Sequence, residues 1–312
     1  MPGYSALHES AAWLDISPRG RLRAGGEDRL RLLHAIASNS VEGLRAGQGT
    51  YAFFLNAQGR IQADSRIFVS NDHVLIDCEP EVRQALIEHI ESYIIMDDVR
   101  LEDLAEATAA LALEGPHAEE IARQALQDVL PDPEPYAHRE SNGLHVLRST
   151  LSGQPGLWFV CPASRKSGLV EKLEAAGARP ASNEDVRVVR VENRLPRFGE
   201  DYSSSNIPHE TGLLRAVSFT KGCYLGQEIV ERVGSQGQVN KLLVSIELNT
   251  RETPPGGTAV EYGGREVGRL SSPAFSPRLE KVMAFAIVRR AAAGLGGEVT
   301  AAGVPGRVQA VA

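Results

Sequence analysis

The stretch "FTKGCYLGQEIVER" (Phe219–Arg232) decides how this chain is read. It sets Cys223 between Gly222 and Gly226, beside a lysine and just ahead of helix-forming residues. With a helix expected from near Leu225 to about Arg232, Gln227 and Glu228 fall in its first turn, where an acidic residue complements the helix dipole. Cys223 then stands close to free amide N–H groups, with Lys221 two residues away, and both features favour thiolate over thiol. Two readings follow from this spacing. Cys223 is a reactive or ligand-donating thiol, or it is a small residue buried at a tight junction. Cys78 and Cys161 end apolar runs and read as core residues.

Upstream of this stretch, strands and helices interleave. Residues 27–36 have helical spacing. "TYAFFL" (50–55), a turn at "NAQGR" (56–60) and "IQADSRIFVS" (61–70) read as a hairpin, followed by a third strand, "HVLIDC" (73–78). Pro80 opens an amphipathic helix with apolar residues at 82, 85, 86, 90, 93 and 94. Strand-like "TAALALEG" (108–115), helical "HAEEIARQAL" (117–126), two further strands and a helix ending at Gly177 continue the pattern. Ser182 with Asp185 forms a capping-box variant at the next helix start. This order predicts α+β sheets with helices on one face. After Arg232 the texture changes to short strands separated by Gly, Pro and Asn, so residues 240–312 read as a small all-β domain, a barrel.

Composition excludes several classes. The 312 residues suffice for two or three domains, and 42% apolar with 23% charged residues is ordinary for a globular chain. A net charge of -7 and 5% aromatics do not suit a general polyanion binder. The charged run "RGRLRAGGEDRLR" (19–31) reads as a solvated face, and Asp97-Asp98 as a turn or cap. Three cysteines without a CxxC argue against a disulfide framework and for a reducing, cytoplasmic setting. Eight scattered histidines, with no HxxxH and no Cys/His cluster at zinc spacing, give no metal site from this chain alone. The N-terminal stretch lacks the basic-then-apolar pattern of a signal peptide, and no apolar run is long enough to span a membrane. No phosphate-binding loop or serine-hydrolase elbow occurs.

The segment "KGCYLGQE" (221–228) resembles the signature of the YgfZ family, which is similar to the aminomethyltransferase T-protein of the glycine cleavage system. "FLNAQGRIQAD" (54–64), "YIIMDDV" (93–99), "RVENRLPRFGEDY" (190–202) and "IPHETGL" (207–213) resemble further family elements in the same order. The resemblance implies an α+β, aminomethyltransferase-like folate-binding fold with mixed and antiparallel sheets. Two α+β subdomains around a central cavity would occupy residues 1–236, and an all-β barrel residues 237–312. It implies tetrahydrofolate as cofactor, with the Glu192 carboxylate accepting two pterin N–H groups, and Asn56 and Glu210 as further cofactor-binding residues. Read without the resemblance, Glu192 is a helix-end partner of Arg190 or Arg194.

By the same resemblance the chain supports iron–sulfur cluster assembly or repair, and through it tRNA modification. Cys223 is then nucleophile or transient cluster ligand, Lys221 holds it ionised, and Gly222, Tyr224, Gly226, Gln227 and Glu228 shape the loop at the mouth of the cavity. Partners would be folate and, transiently, iron–sulfur proteins or assembly factors, with the chain a monomer. The alternative is a folate-dependent aminomethyltransferase or demethylase, in which Asp64 steers the amine. Aminomethyltransferases carry an acidic pair where this chain has "GRIQAD", with Gln62 and Ala63 ahead of Asp64, and a one-residue slip decides which face Asp64 takes. The two tryptophans that some bacterial family members place at the folate correspond here to Arg19 and Val186, whereas this chain's own are Trp13 and Trp158.

Overall fold

The computed structural model describes residues 2–127, 130–237 and 239–311. In chain order it runs α1 (Pro2–Glu9), β1 (Ala12–Asp15), β2 (Gly20–Gly25), α2 (Arg29–Ile36), β3 (Gln48–Leu55), β4 (Ile61–Val69), β5 (His73–Cys78), α3 (Arg83–Glu91), β6 (Arg100–Asp103) and β7 (Thr108–Glu114). Then come α4 (Ala118–Leu126), β8 (His138–Ser141), β9 (Leu144–Arg148), β10 (Gly156–Pro162), α5 (Lys166–Ala175), β11 (Arg179–Pro180), α6 (Asn183–Glu192), α7 (Pro208–Thr211) and α8 (Gln227–Gln236). The last strands are β12 (Lys241–Leu248), β13 (Ala259–Tyr262), β14 (Arg265–Ser276), β15 (Lys281–Arg289), β16 (Glu298–Ala301) and β17 (Val304–Gln309).

Three sheets result. One has five strands in the order β3-β4-β5-β2-β6, and a second has six in the order β11-β1-β7-β10-β9-β8. The third closes as the barrel β12-β15-β14-β13-β16-β17. Pairings are antiparallel apart from β1 with β11, which makes the second sheet mixed. The barrel is the all-β tail expected from the short, Gly-separated strands. It encloses its own core around Ile246, Val260, Val282 and Val308.

Period-2 alternation explains how the two open sheets are layered. On β4, Ala63 and Ile67 join Leu33 and Ile36 of α2 and Leu86 and Ile90 of α3 in one core. On β7 and β10, Leu111, Leu113 and Phe159 join Ile121 of α4 and Leu169 of α5 in another. The opposite faces of these sheets share a third core, in which Tyr51, Phe53 and Phe68 meet Leu14 and Trp158. The alternate residues Asp64 and Arg66 therefore point between the sheets. Helix α6 closes that space, and its start carries the expected capping box: the Asp185 N–H donates to Ser182 Oγ at 3.1 Å, and the Ser182 N–H to Asp185 Oδ2 at 2.9 Å.

The charged run at 19–31 is not a solvated face throughout. Arg19 and Arg21 are 5% and 1% exposed. Arg21 lies on β2 and donates to the carbonyls of Ser17, Arg19, Ala105 and Thr108. A guanidinium can be buried when its donors are filled in this way. Its partners are up to 87 residues away in sequence, so the local pattern cannot show them. Helix α8 begins at Gln227 rather than Leu225, because Gly226 has φ +80° and a Cβ there would stand 2.7 Å from the Asn56 carbonyl oxygen.

Candidate functional site

A cavity of about 920 Å³ lies between the two open sheets and against α6. Its size is in the usual range for small-molecule sites, about 300–1,000 Å³. Leu14 and Val186 give it apolar surface, Tyr51 and Tyr136 aromatic edges, and Arg66 and Arg148 positive charge.

Asp64 lines this cavity and is itself buried. Its Oδ2 accepts from the Tyr51 hydroxyl at 2.6 Å and from the Tyr202 hydroxyl at 3.2 Å. Its Oδ1 is buried with no hydrogen-bond partner. An unpaired buried carboxylate oxygen is costly, and a ligand N–H is what would satisfy it. Burial raises the Asp64 pKa and nearby Glu79 adds to the rise, whereas Arg66, the Tyr51 hydrogen bond and Arg19 oppose it. The one-residue question about β4 thus resolves. Asp64 pairs with Phe53 across β3 and faces the cavity.

An ion network forms part of this wall. Arg19 donates to Asp77 at 2.6 Å and to Glu79 at 2.5 Å, and Arg197 holds the other Glu79 oxygen at 2.8 Å. Burial alone would raise the Glu79 pKa, but Arg19 and Arg197 outweigh it and bring it down to about 2. The guanidiniums of Arg66 and Arg19 stack 4.5 and 5.2 Å from the Trp158 ring centroid. Arg19 and Val186 both line the cavity. Among the described residues no tryptophan lines it.

Glu192 has other partners than those expected. Its carboxylate accepts from the Tyr4 hydroxyl at 2.7 Å, His8 Nε2 at 2.8 Å and Ser276 Oγ at 2.5 Å, which joins α1, α6 and β14. Burial and the Glu192 carboxylate push the Tyr4 hydroxyl up to about 12, so it stays a donor. Arg190 pairs instead with Asp201 at 2.6 Å and Glu200 at 2.9 Å. Glu192 is not among the cavity-lining residues, nor are Asn56 and Glu210. Asn56 Oδ1 caps the N–H groups of Gln58 and Arg60 in the β3–β4 turn, and Glu210 Oε2 accepts from Asn206 Nδ2 and the Ile207 N–H. Both act as local turn caps here.

The cysteine segment sits elsewhere. Cys223 is exposed, Cys78 and Cys161 are buried, and neither Cys223 nor Lys221 lines the cavity. The Lys221 ammonium donates to the carbonyl oxygens of His34, Ala37 (2.7 Å) and Asn39 (3.1 Å) at the C-terminal end of α2. It caps a helix end rather than serving the thiol. Burial pushes its pKa down to about 8, and the three acceptors hold the protonated form at neutral pH. Tyr224 is buried, its N–H donating to Gln227 Oε1 at 3.2 Å, and the Leu225 N–H reaches the Ala35 carbonyl at 3.0 Å. Glu228 is exposed, and Gly222 has open space on its side-chain face. The motif therefore pins an exposed thiol onto the end of α2. Its anchors lie on α2 and the β3–β4 turn, and Cys223 is not among the cavity-lining residues.

Sequence comparison then fixes the family. The GCVT N-terminal domain model matches residues 3–221, and the glycine cleavage T-protein C-terminal barrel domain model matches residues 241–312. The chain belongs to the glycine cleavage T-protein family. It is 30% identical over 311 residues to an aminomethyltransferase of Geobacillus kaustophilus, covering 95% of this chain and 84% of the relative. An aminomethyltransferase of Symbiobacterium thermophilum is also 30% identical, over 95% and 83% of the two chains. A putative chloroplastic transferase of Arabidopsis thaliana is 26% identical, over 95% and 69%. The crystal structure of the glycine cleavage system aminomethyltransferase T from Bartonella henselae superposes with a TM-score of 0.90 at 20% identity, covering 99% of this chain and 88% of that one. That likeness shows the T-protein fold, with its mixed and antiparallel sheets and closed barrel.

Proposed function

We propose that this member of the T-protein family binds a reduced folate in the cavity between its sheets and acts as a folate-dependent aminomethyltransferase or demethylase. The observation that carries the reading is Asp64, with one oxygen fixed by two tyrosine hydroxyls and the other unpartnered beside a folate-sized space. Tyr51 and Tyr202 orient the carboxylate. Its free oxygen can accept an amine N–H of the one-carbon donor and hold that nitrogen in place. Arg66 and Arg148 offer charge to the carboxylates of a folate tail, and Leu14 and Val186 an apolar wall for its rings. Bound tetrahydrofolate supplies the one-carbon acceptor. Since burial raises the Asp64 pKa, the carboxylate ionises at a pH above the ordinary carboxylate range. Turnover should therefore rise with pH through that raised value.

The test is anaerobic conversion of an aminomethyl donor to methylene-tetrahydrofolate with release of the amine, or of an N-methyl amine donor to methyl-tetrahydrofolate with release of the demethylated amine. Wild type should turn over and Asp64→Asn should lose most of that rate, with the pH-dependent rise gone. Folate binding without turnover on any such donor would overturn the enzymatic reading.

A second reading rests on Cys223. The "KGCYLGQE" motif holds that thiol exposed and outside the cavity lining, where aminomethyl transfer does not use it. A YgfZ-type role, supporting iron–sulfur cluster assembly or repair and so tRNA modification, does use it. In this reading the units are residues 1–236 and 237–312, and the chain acts as a cytoplasmic monomer meeting its partners transiently. Cys223→Ser should then abolish support of cluster-dependent tRNA methylthiolation in cells while leaving folate binding unchanged. Full support by Cys223→Ser would sink this role.

A further inference from the structure

Outside the cavity, His73 meets two side chains of the distant β8–β9 hairpin, Glu140 and His145. His73 opens β5, Glu140 lies on β8, and His145 on β9 is the cross-strand partner of Glu140. One imidazole nitrogen of each histidine and one Glu140 oxygen all lie within 4.8 Å of one another. His73 Nε2 is 3.7 Å from Glu140 Oε2. Donors around a tetrahedral zinc with bonds of about 2.0–2.2 Å stand about 3.3 Å apart, so the closing movement is small. Glu140, the most exposed of the three, is free to make it.

The surrounding hydrogen bonds set which nitrogens are available. His138 Nε2 lies 2.8 Å from the Val69 carbonyl oxygen, which can only accept, so His138 carries its proton there. His138 Nδ1 is 2.6 Å from His145 Nε2. In the neutral form of each ring, His138 accepts at Nδ1, His145 donates from Nε2, and His145 Nδ1 carries a lone pair. At the other histidine, Asp72 Oδ1 is 2.8 Å from His73 Nδ1 and takes its N–H, which leaves the His73 Nε2 lone pair facing Glu140. Each histidine thus has one nitrogen held by an outer partner, and at His73 the other faces Glu140. This is the arrangement that orients metal-bound imidazoles.

We propose that His73, His145 and Glu140 form a site for one divalent transition-metal ion of the zinc class, which ties the β4–β5 turn to the β8–β9 hairpin. Two imidazoles and a carboxylate suit such an ion better than calcium or magnesium, which prefer oxygen donors. The three ligands leave a fourth position for water. The ion bridges the five-stranded and six-stranded sheets at the edge where the His138 N–H already bonds the Gly47 carbonyl, so it reinforces their packing. This inference is independent of the folate reading.

The experiment is titration of the chelator-stripped full chain with Co(II), followed by visible absorption, and with Zn(II), followed by calorimetry. One ion per chain should bind, with the strong visible bands of a four-coordinate cobalt and a raised melting temperature. Glu140→Gln alters an exposed position and should keep the fold by circular dichroism while losing the cobalt spectrum, and His73→Ala, at a mostly buried position, should lose the spectrum too. Asp72→Asn should weaken binding roughly 10- to 100-fold, as loss of an outer partner does. Absence of stoichiometric binding overturns the proposal. So does binding that survives His73→Ala and Glu140→Gln but disappears in Cys223→Ser.

Discussion

Asp64 is a buried carboxylate that lines the cavity, and Cys223 is an exposed thiol outside that lining. Alternation along "IQADSRIFV" brings Asp64 to the cavity side, because Ala63 and Ile67 belong to the opposite, helix-covered face. The strand was legible from that alternation, but the face Asp64 takes hung on a one-residue slip that only the observed register decides. The orphaned oxygen was not legible, since its neighbours Tyr51 and Tyr202 come from 13 and 138 residues away. Cys223 is exposed whereas Cys78 and Cys161 are buried, and burial pushes both of the latter thiols up, Cys78 most strongly. A thiol reagent applied to the native chain should label one cysteine, lost in Cys223→Ala, and all three only after denaturation. Cys223→Ala should leave the melting temperature unchanged. A large drop would return Cys223 to a structural role. Glu192 shows the limit of reading a residue from its motif. The motif marks the position, but Tyr4, His8 and Ser276 are brought to it by α1 and β14.

At the scale of elements, the signals that succeeded were local ones. The β3–β5 hairpins followed from alternation and a Gly-containing turn, α6 from its capping box, and the barrel strands from regular spacing. The failures were elements whose logic is long-range. Strand β2 looks like a charged surface because Arg19 and Arg21 find their acceptors only in the folded sheet. Two consequences can be measured. Lys221→Met removes the ammonium that caps the end of α2 through three carbonyls, and should cost roughly 2–3 kcal/mol in urea unfolding, as lost charged hydrogen bonds do. A cost within about 0.5 kcal/mol, the usual range for an inert surface change, would remove that role. Glu79 sets the second. Its folded pKa, about 2, lies below its ordinary value of 4.5, so its contribution is full above about pH 4.5 and disappears as pH falls toward 2. Glu79→Gln should be less stable at neutral pH, and its stability should fall less steeply across that window. An unchanged acid slope would contradict the pairing with Arg19 and Arg197.

The whole molecule places two helix-backed sheets face to face, with α6 across the gap and the barrel bonded to α6 through β14. Among the described residues no helix is long and apolar enough to cross a membrane. Segment order and motif spacing made the family fold readable before any coordinates, because those features are local. The cavity wall and the His73–Glu140–His145 cluster were not readable, since both are assembled from strands that only the sheets bring together. The central claim is that a reduced folate lies in this cavity against Asp64. It is tested most directly by anaerobic calorimetric titration of tetrahydrofolate into wild type, Asp64→Ala and Glu192→Ala. The account predicts one saturable site in wild type, and an affinity about 10- to 100-fold weaker in Asp64→Ala, the loss expected for one charge-assisted hydrogen bond. Glu192→Ala should lower the melting temperature and weaken binding less than Asp64→Ala does. No binding by wild type, or equal affinity in Asp64→Ala, would contradict it.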